Sequence, residues 1–344
     1  ELYSYNFTFD DEHHVVSINS ILKHNNKIIT ATNNGIGYIS DNIISHLKHP
    51  KLLNKSFNHI IYHSGVFIFS SEEGKLFKSD TLFKDIKEIN FGISDRKILI
   101  NSLCANNTDL FICSTAGLII YNIKDQSFKL LNTESGLLHN NVKFVFEDSK
   151  RRLWICSPGS PVYFLDSDYK QTVFKEVPGM RNFNMNSVCE DKNNNIWIST
   201  IGDGVFKFNG RTFENYNIFN GLKSNYCYGI KADNKSGIWV NHINGISYKN
   251  SNKKNFNRIG NNTELMQLNF IENSNYYDKI TNEIALGASE GIVKINTSKQ
   301  RYNEVEPKLN LLNITINNKS IDSLSDTPTL KYGSYDIDIN FIGI

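Results

Sequence analysis

The sequence predicts an all-β chain: a seven-bladed β-propeller of four-stranded blades, closed by the N-terminal strand, with an incomplete C-terminal β-sandwich. Three observations predict it. Trp154, Trp197 and Trp239 are spaced by 43 and 42 residues. Asp148, Asp191 and Asp233 lie six residues ahead of them, and Gly136-Leu137, Gly179-Met180 and Gly221-Leu222 keep the same step. Short alternating apolar strands recur between turn residues, and no segment beyond about ten residues shows a helical period. The last unit lacks a fourth strand, and the N-terminus supplies one.

Taken in order, each unit reads as strand, Asp-containing turn, strand, small turn, strand, polar turn, strand. The clearest copy runs from Asn186 through Asp191, Ile196-Trp197-Ile198-Ser199-Thr200 and Gly204-Val205-Phe206 to Thr212-Phe213-Glu214-Asn215-Tyr216. Second and third strands of the other copies fall at 28–32 and 35–39, 67–70 and 74–78, 110–114 and 117–122, 153–157 and 162–166, 238–241 and 245–249, and 284–288 and 291–296. Four-stranded units at this period are the sequence signature of propeller blades. Residues 3–9 are expected to pair with 291–296, removing two open sheet edges that would otherwise invite aggregation. The propeller spans 1–300. After Pro307 the pattern changes: 309–316, a turn at Asn317-Asn318-Lys319, and 335–342 read as the beginning of a truncated Ig-like sandwich over 301–344.

Composition excludes several classes. Lys and Arg total 37 against 35 Asp and Glu, so the chain lacks the basic excess of a nucleic-acid binder. No apolar run approaches the roughly 20 residues of a membrane helix. The polarity is carried by amides, with 48 Asn. Five cysteines leave at least one thiol unpaired within a monomer.

The residues Gly136-Leu137-Leu138-His139-Asn140-Asn141-Val142, running to Glu147-Asp148 and Leu153-Trp154-Ile155, resemble the two-component-regulator propeller repeat. Val188-Cys189-Glu190-Asp191 with Ile196-Trp197-Ile198-Ser199-Thr200 resembles it too, as does Gly221-Leu222-Lys223-Ser224-Asn225 with Asp233 and Gly237-Ile238-Trp239-Val240. The tail, with Pro307 and Leu330-Lys331-Tyr332, is similar to the opening of the three-tyrosine (YYY) β-sandwich that follows such propellers. Departures are the Ser157-Pro158-Gly159-Ser160-Pro161 turn and the absence of Trp from the first two units. The resemblance implies the periplasmic sensor of a membrane-anchored regulator of the Bacteroidetes type, with a kinase or helix-turn-helix output. It also implies a glycan-derived oligosaccharide as ligand.

Candidate sites follow from topology. Loops between blades and the turns between second and third strands emerge on one face, where exposed loops carry function. They present Arg96, His139, Asn140, Arg181, Asn182, Asp203, Lys223, Asn225, Tyr226 and His242, the expected recognition set. Asp148, Asp191 and Asp233 are read as turn residues accepting backbone N–H bonds, and the three tryptophans as wedges between sheets. The loop from Asp191 fails as a calcium site because Ile196 replaces the required Gly. His59 and His63 sit four residues apart on a strand, about 13 Å, too far to share a zinc. The cysteines read as small buried hydrophobes in strands, and Lys150-Arg151-Arg152 as solvated surface. No nucleophile elbow, P-loop or dinucleotide fingerprint occurs.

The function expected is non-catalytic ligand sensing, with no metal and no cofactor. Expected partners are an oligosaccharide or other small ligand and a second copy through the C-terminal sandwich. No nucleic acid is expected to touch this part, and a membrane only through a segment beyond Ile344. Two alternatives stand beside it. A secreted propeller polysaccharide lyase or glycosidase needs a convergent acid–base pair. A protein–protein scaffold would resemble WD-repeat proteins, but Trp154, Trp197 and Trp239 are followed by Ile or Val.

Overall fold

The computed structural model describes residues 3–7, 9–10, 15–40, 43–91, 98–259, 268–299, 309–320 and 329–343. The chain divides into two compact units, Glu1–Lys299 and Gln300–Ile344.

The first unit contains seven antiparallel sheets among the described residues, numbered here as blades 1 to 7 in chain order. Their inner strands are Ile18–His24, Phe57–His63, Ile100–Ala105, Phe144–Glu147, Met185–Glu190, Gly229–Ala232 and Phe270–Asp278. Each inner strand touches the next, and the last touches the first, so the ring closes. In blades 1 to 6 the chain then runs outward through four strands, and in blade 7 through three. Turns between first and second strands therefore lie on one face, and the entries from the preceding blade on the other.

Blade 7 is completed from the other end of the chain. Tyr3–Phe7 pairs antiparallel with Gly291–Asn296, in register Tyr3 to Ile295 and Phe7 to Gly291. The expected strand is shorter than 3–9, because Phe9–Asp10 leaves blade 7 and pairs parallel with Ile43 and Ile44 at the outer edge of blade 1. The N-terminal segment thus joins the last blade to the first, and both lose an open edge.

The core lies between blades. Trp154 of blade 4 is fully buried with Ile196, Ile198 and Phe206 of blade 5. One step around, Trp197 packs with Ile238 and Val240 of blade 6. A flat indole on the second strand fills the widening wedge between twisted sheets, which is why the marker recurs at blade spacing.

The second unit is a three-stranded antiparallel sheet in which Leu309–Ile316 lies between Ile337–Gly343 and Lys319–Ser320. Asn317 and Asn318, with φ of 50° and 63°, make the two-residue left-handed hairpin turn.

Candidate functional site

The repeated acids are spent on structure. The Trp154, Trp197 and Trp239 indole N–H groups donate to Oδ2 of Asp148, Asp191 and Asp233 at 2.8, 2.9 and 2.9 Å. The other oxygen of each carboxylate accepts backbone N–H bonds two and four residues on, such as Lys150 at 2.9 Å and Arg152 at 3.0 Å for Asp148. Arg152 departs from the expected solvated surface. Its Nε donates to Asp148 Oδ2 at 2.7 Å, and its guanidinium lies over the Trp154 and Phe164 rings at 5.3 and 4.8 Å. A delocalised, weakly hydrated cation suits such a stacked position.

On the opposite face stand the residues expected to bind ligand. Arg96 lies outside the described residues. Asn140 and Asn225 close equivalent short helical turns: their Oδ1 atoms accept from Thr133 N at 2.8 Å and Ile218 N at 3.0 Å. Asp203 is buried and accepts from the backbone N–H groups of Arg181 and Asn182, both at 2.9 Å. His242 is also buried, with Nδ1 3.0 Å from the Tyr226 carbonyl and Nε2 2.8 Å from Ser247 Oγ. A carbonyl can only accept, so Nδ1 carries the proton and the Ser247 hydroxyl donates to Nε2. Burial pushes the His242 pKa down to about 4. These four side chains brace the rim. His139, Arg181, Asn182 and the 56% exposed Tyr226 face solvent beside them, with Lys223 half-buried. Phe219, at 89% exposure, adds an apolar surface on the same face.

The channel holds a feature that loop reasoning misses. A cavity of about 610 Å³ is lined by inner strands of blades 1, 2, 3, 4, 6 and 7 and by the 105–107 and 147–151 turns. Those turns are on the face away from the recognition set. The inner strands are bulged at the same place in blades 1, 2, 3 and 5, with Asn19, Asn58, Asn101 and Asn186 as the extra residues. Three of these amides donate to the next blade: Asn19 to the Phe57 carbonyl at 2.9 Å, Asn101 to Val142 at 2.7 Å, and Asn186 to Tyr228 at 2.8 Å. The signal was in the sequence as Ile18-Asn19-Ser20, Ile100-Asn101-Ser102 and Met185-Asn186-Ser187. Bulges near a barrel or channel mouth re-aim side chains in this way.

His59 lines the cavity, and burial pushes its pKa down to about 4. Among the described residues no group of three or more His, Cys, Asp or Glu could hold a metal ion. The five cysteines are free: four are buried and Cys104 is half-buried. Cys227 sits just ahead of the Gly229–Ala232 strand rather than within one.

Comparison with known proteins bears on the repeat and the fold. The "Two component regulator propeller" family matches residues 180–202. No curated protein matches the chain by sequence. The structure resembles what is described as the extracellular domain of a hybrid two component system, BT3049, from B. thetaiotaomicron. That similarity has a TM-score of 0.76 at 18% identity, over 95% of this chain and 45% of that one. The chain thus spans less than half of that relative. It also resembles virginiamycin B lyase from Staphylococcus aureus, with a TM-score of 0.66, 14% identity, and coverage of 86% and 98%. A third likeness is to YCF48 from Cyanidioschyzon merolae, at 0.61 and 10%, covering 87% and 100%. At these identities the likenesses establish a shared fold, on which unrelated functions are carried.

Proposed function

By its repeat this chain belongs to the two component regulator propeller family, and we propose that it is the extracytoplasmic, non-catalytic sensor region of a membrane-anchored regulator. One observation carries the reading: the family match over 180–202 lies in phase with the copies at 137–159 and 222–244. The ligand is a glycan-derived oligosaccharide held on the rim. His139, Arg181, Asn182, Lys223 and Tyr226 contact it, and Asn140, Asp203, Asn225 and His242 hold those loops in place. Tyr226 offers a ring face for a sugar, and Arg181 a planar donor fork for hydroxyl or carboxylate oxygens.

The test is calorimetry of the purified chain against a panel of plant and host oligosaccharides. Tyr226→Ala and Arg181→Ala each weaken the bound member of the panel about tenfold or more. Product formation is followed in the same samples. Turnover replaces the sensor with a propeller enzyme, and binding indifferent to both substitutions removes the rim from the reading.

A further inference from the structure

Two of the loops that enter blades are built alike and differ in one exposed residue. Asn132 and Asn217 cap short helical turns at 133–135 and 218–220, each with a capping box and a left-handed glycine, Gly136 or Gly221, at its end. Asn140 and Asn225 clamp the two turns identically, each accepting from an N–H seven residues back. The position that holds Glu134 in the first turn holds Phe219 in the second. The fold of the turn therefore does not require the phenyl group, which stands almost wholly in water. Ile218 and Tyr226, on either side of the same clamp, are exposed as well. A rigidly held, solvent-facing aromatic offers contact area at little entropic cost to whatever covers it.

The loop that carries Phe219 is pinned along the outer strands of blade 6. The Phe256 N–H donates to the Asn220 carbonyl at 2.8 Å, and a Cβ on Gly221 would stand 2.0 Å from the Phe256 carbonyl oxygen. The Lys223 N–H donates to Ser247 Oγ at 2.9 Å. The Lys223 stem lies along Gly245, with Cγ, Cε and Cδ 3.3, 3.4 and 3.5 Å from where a Cβ would be. Arg258 is the register partner of Ser247, and directly opposed residues of antiparallel strands share a face. Arg258 also follows Phe256 by two, so it shares the face that Phe256 turns toward Trp197 and Tyr216 of blade 5. Both placements set Arg258 beside Lys223 and the 220–223 stretch. Neither cation makes an ion pair among the described residues. The acid tied to the same loop is Asp203, through the Gly202 and Gly204 N–H bonds to the Asn225 carbonyl, and its carboxylate already accepts from the Arg181 and Asn182 N–H groups. Two cations thus face one engaged acid, and their repulsion helps to hold the His242 pKa down.

We propose that this boundary between blades 5 and 6 is the part of the rim that selects an acidic sugar, its pyranose seated on Phe219 and its carboxylate or sulfate between Lys223 and Arg258. The inference rests on the rim reading above and narrows its ligand from oligosaccharides at large to anionic ones. Charge complementarity names the anion, and the planar Arg258 fork suits two oxygens of one group. The phenyl face suits the apolar C–H face of a pyranose.

The probes are digalacturonate, a sulfated galactose disaccharide and neutral galactobiose, titrated into the purified chain at low and at high salt. At low salt an acidic disaccharide binds about tenfold tighter than galactobiose, and salt shrinks the difference. The stronger of the two acids tells carboxylate from sulfate. Lys223→Met and Arg258→Met each cut the acid-to-neutral ratio about threefold. Phe219→Ser, in a turn that its Glu134 counterpart closes without an aromatic, weakens all three sugars alike by about tenfold. Equal binding of acidic and neutral sugars overturns the proposal and leaves the rim reading standing, whereas binding of none of the three overturns this narrowing and counts against the rim as well. An acid preference that survives both cation substitutions overturns it too. Poly-glutamate bound as tightly as the acidic disaccharides, through the same two cations, makes the surface a dock for acidic protein and removes the sugar.

Discussion

Trp197 donates its indole N–H to Asp191 Oδ2 at 2.9 Å, and the two residues are both buried although one belongs to a turn and the other to a strand. The carboxylate also accepts from the backbone N–H groups of Asn193 at 2.9 Å and Asn195 at 3.0 Å. One side chain thereby fixes the turn, aims the tryptophan and satisfies its only polar atom. Asp148 with Trp154, and Asp233 with Trp239, repeat the arrangement.

Asp191→Ala takes the acceptor from the buried Trp197 indole N–H and from two part-buried backbone N–H groups, and lowers unfolding stability by about 2–4 kcal/mol. Trp197→Phe keeps most of the apolar wedge but leaves Asp191 Oδ2 only the Asn195 side-chain amide at 3.0 Å, costing about 1–3 kcal/mol. Urea titration reads both. A loss below about 0.5 kcal/mol for Asp191→Ala would show that the clasp contributes little.

Acid should loosen the molecule through His242. Its folded pKa, about 4, is depressed below the unfolded value near 6.5. The unfolded chain therefore takes up the proton first as pH falls. The stability contributed by holding this ring neutral is complete above about pH 7 and is lost between about pH 6.5 and 4, on the order of 3 kcal/mol in total. Unfolding midpoints measured at pH 7.5, 6, 5 and 4 follow that decline. His242→Gln flattens the slope relative to the native chain; an unchanged slope would place the proton uptake elsewhere, His59 being the next group to test.

Most of the propeller was legible because its cause is periodic. Wedge-filling Trp and turn-fixing Asp recur with each blade, and the missing fourth strand of the last unit points to Tyr3–Phe7. The parallel pairing of Phe9–Asp10 with Ile43 and Ile44 leaves no such trace, since two residues carry no alternation. Rim residues were legible by place but not by use. Residue type does not say whether Asp203 or His242 has already spent its lone pairs on Arg181 N or Ser247 Oγ. A clue did exist: Asn140 and Asn225 occupy one phase of the repeat, as structural residues do. The lining of the channel cavity, Lys231 included, was invisible because facing the channel is a property of the closed ring rather than of any one strand.

The closing strand gives a third prediction. Removing residues 1–10 bares the Gly291–Asn296 edge and strips five paired positions from blade 7. The shortened protein should lose about 3–5 kcal/mol and elute as oligomers, because an unpaired edge templates association. A monomer with an unchanged urea midpoint would mean that the last blade holds without it.

The thiols give the last prediction. Burial pushes Cys104 up to about 11 and Cys189 up to about 12, and raises Cys113, Cys156 and Cys227 further still. The thiolate is the nucleophile, so at pH 8 only about one Cys104 in a thousand is reactive at any instant. A disulfide reagent should find essentially no thiol in the folded protein over minutes, and all five once guanidinium unfolds it. Slow labelling should start at Cys104, the half-buried member on the channel wall. Lys231 pulls that thiol's pKa down, so Lys231→Met should slow Cys104 labelling further while leaving the denatured count unchanged. Rapid native labelling at any position would contradict the burial. A labelling rate indifferent to Lys231→Met would mean that the ammonium does not reach across the channel to blade 3.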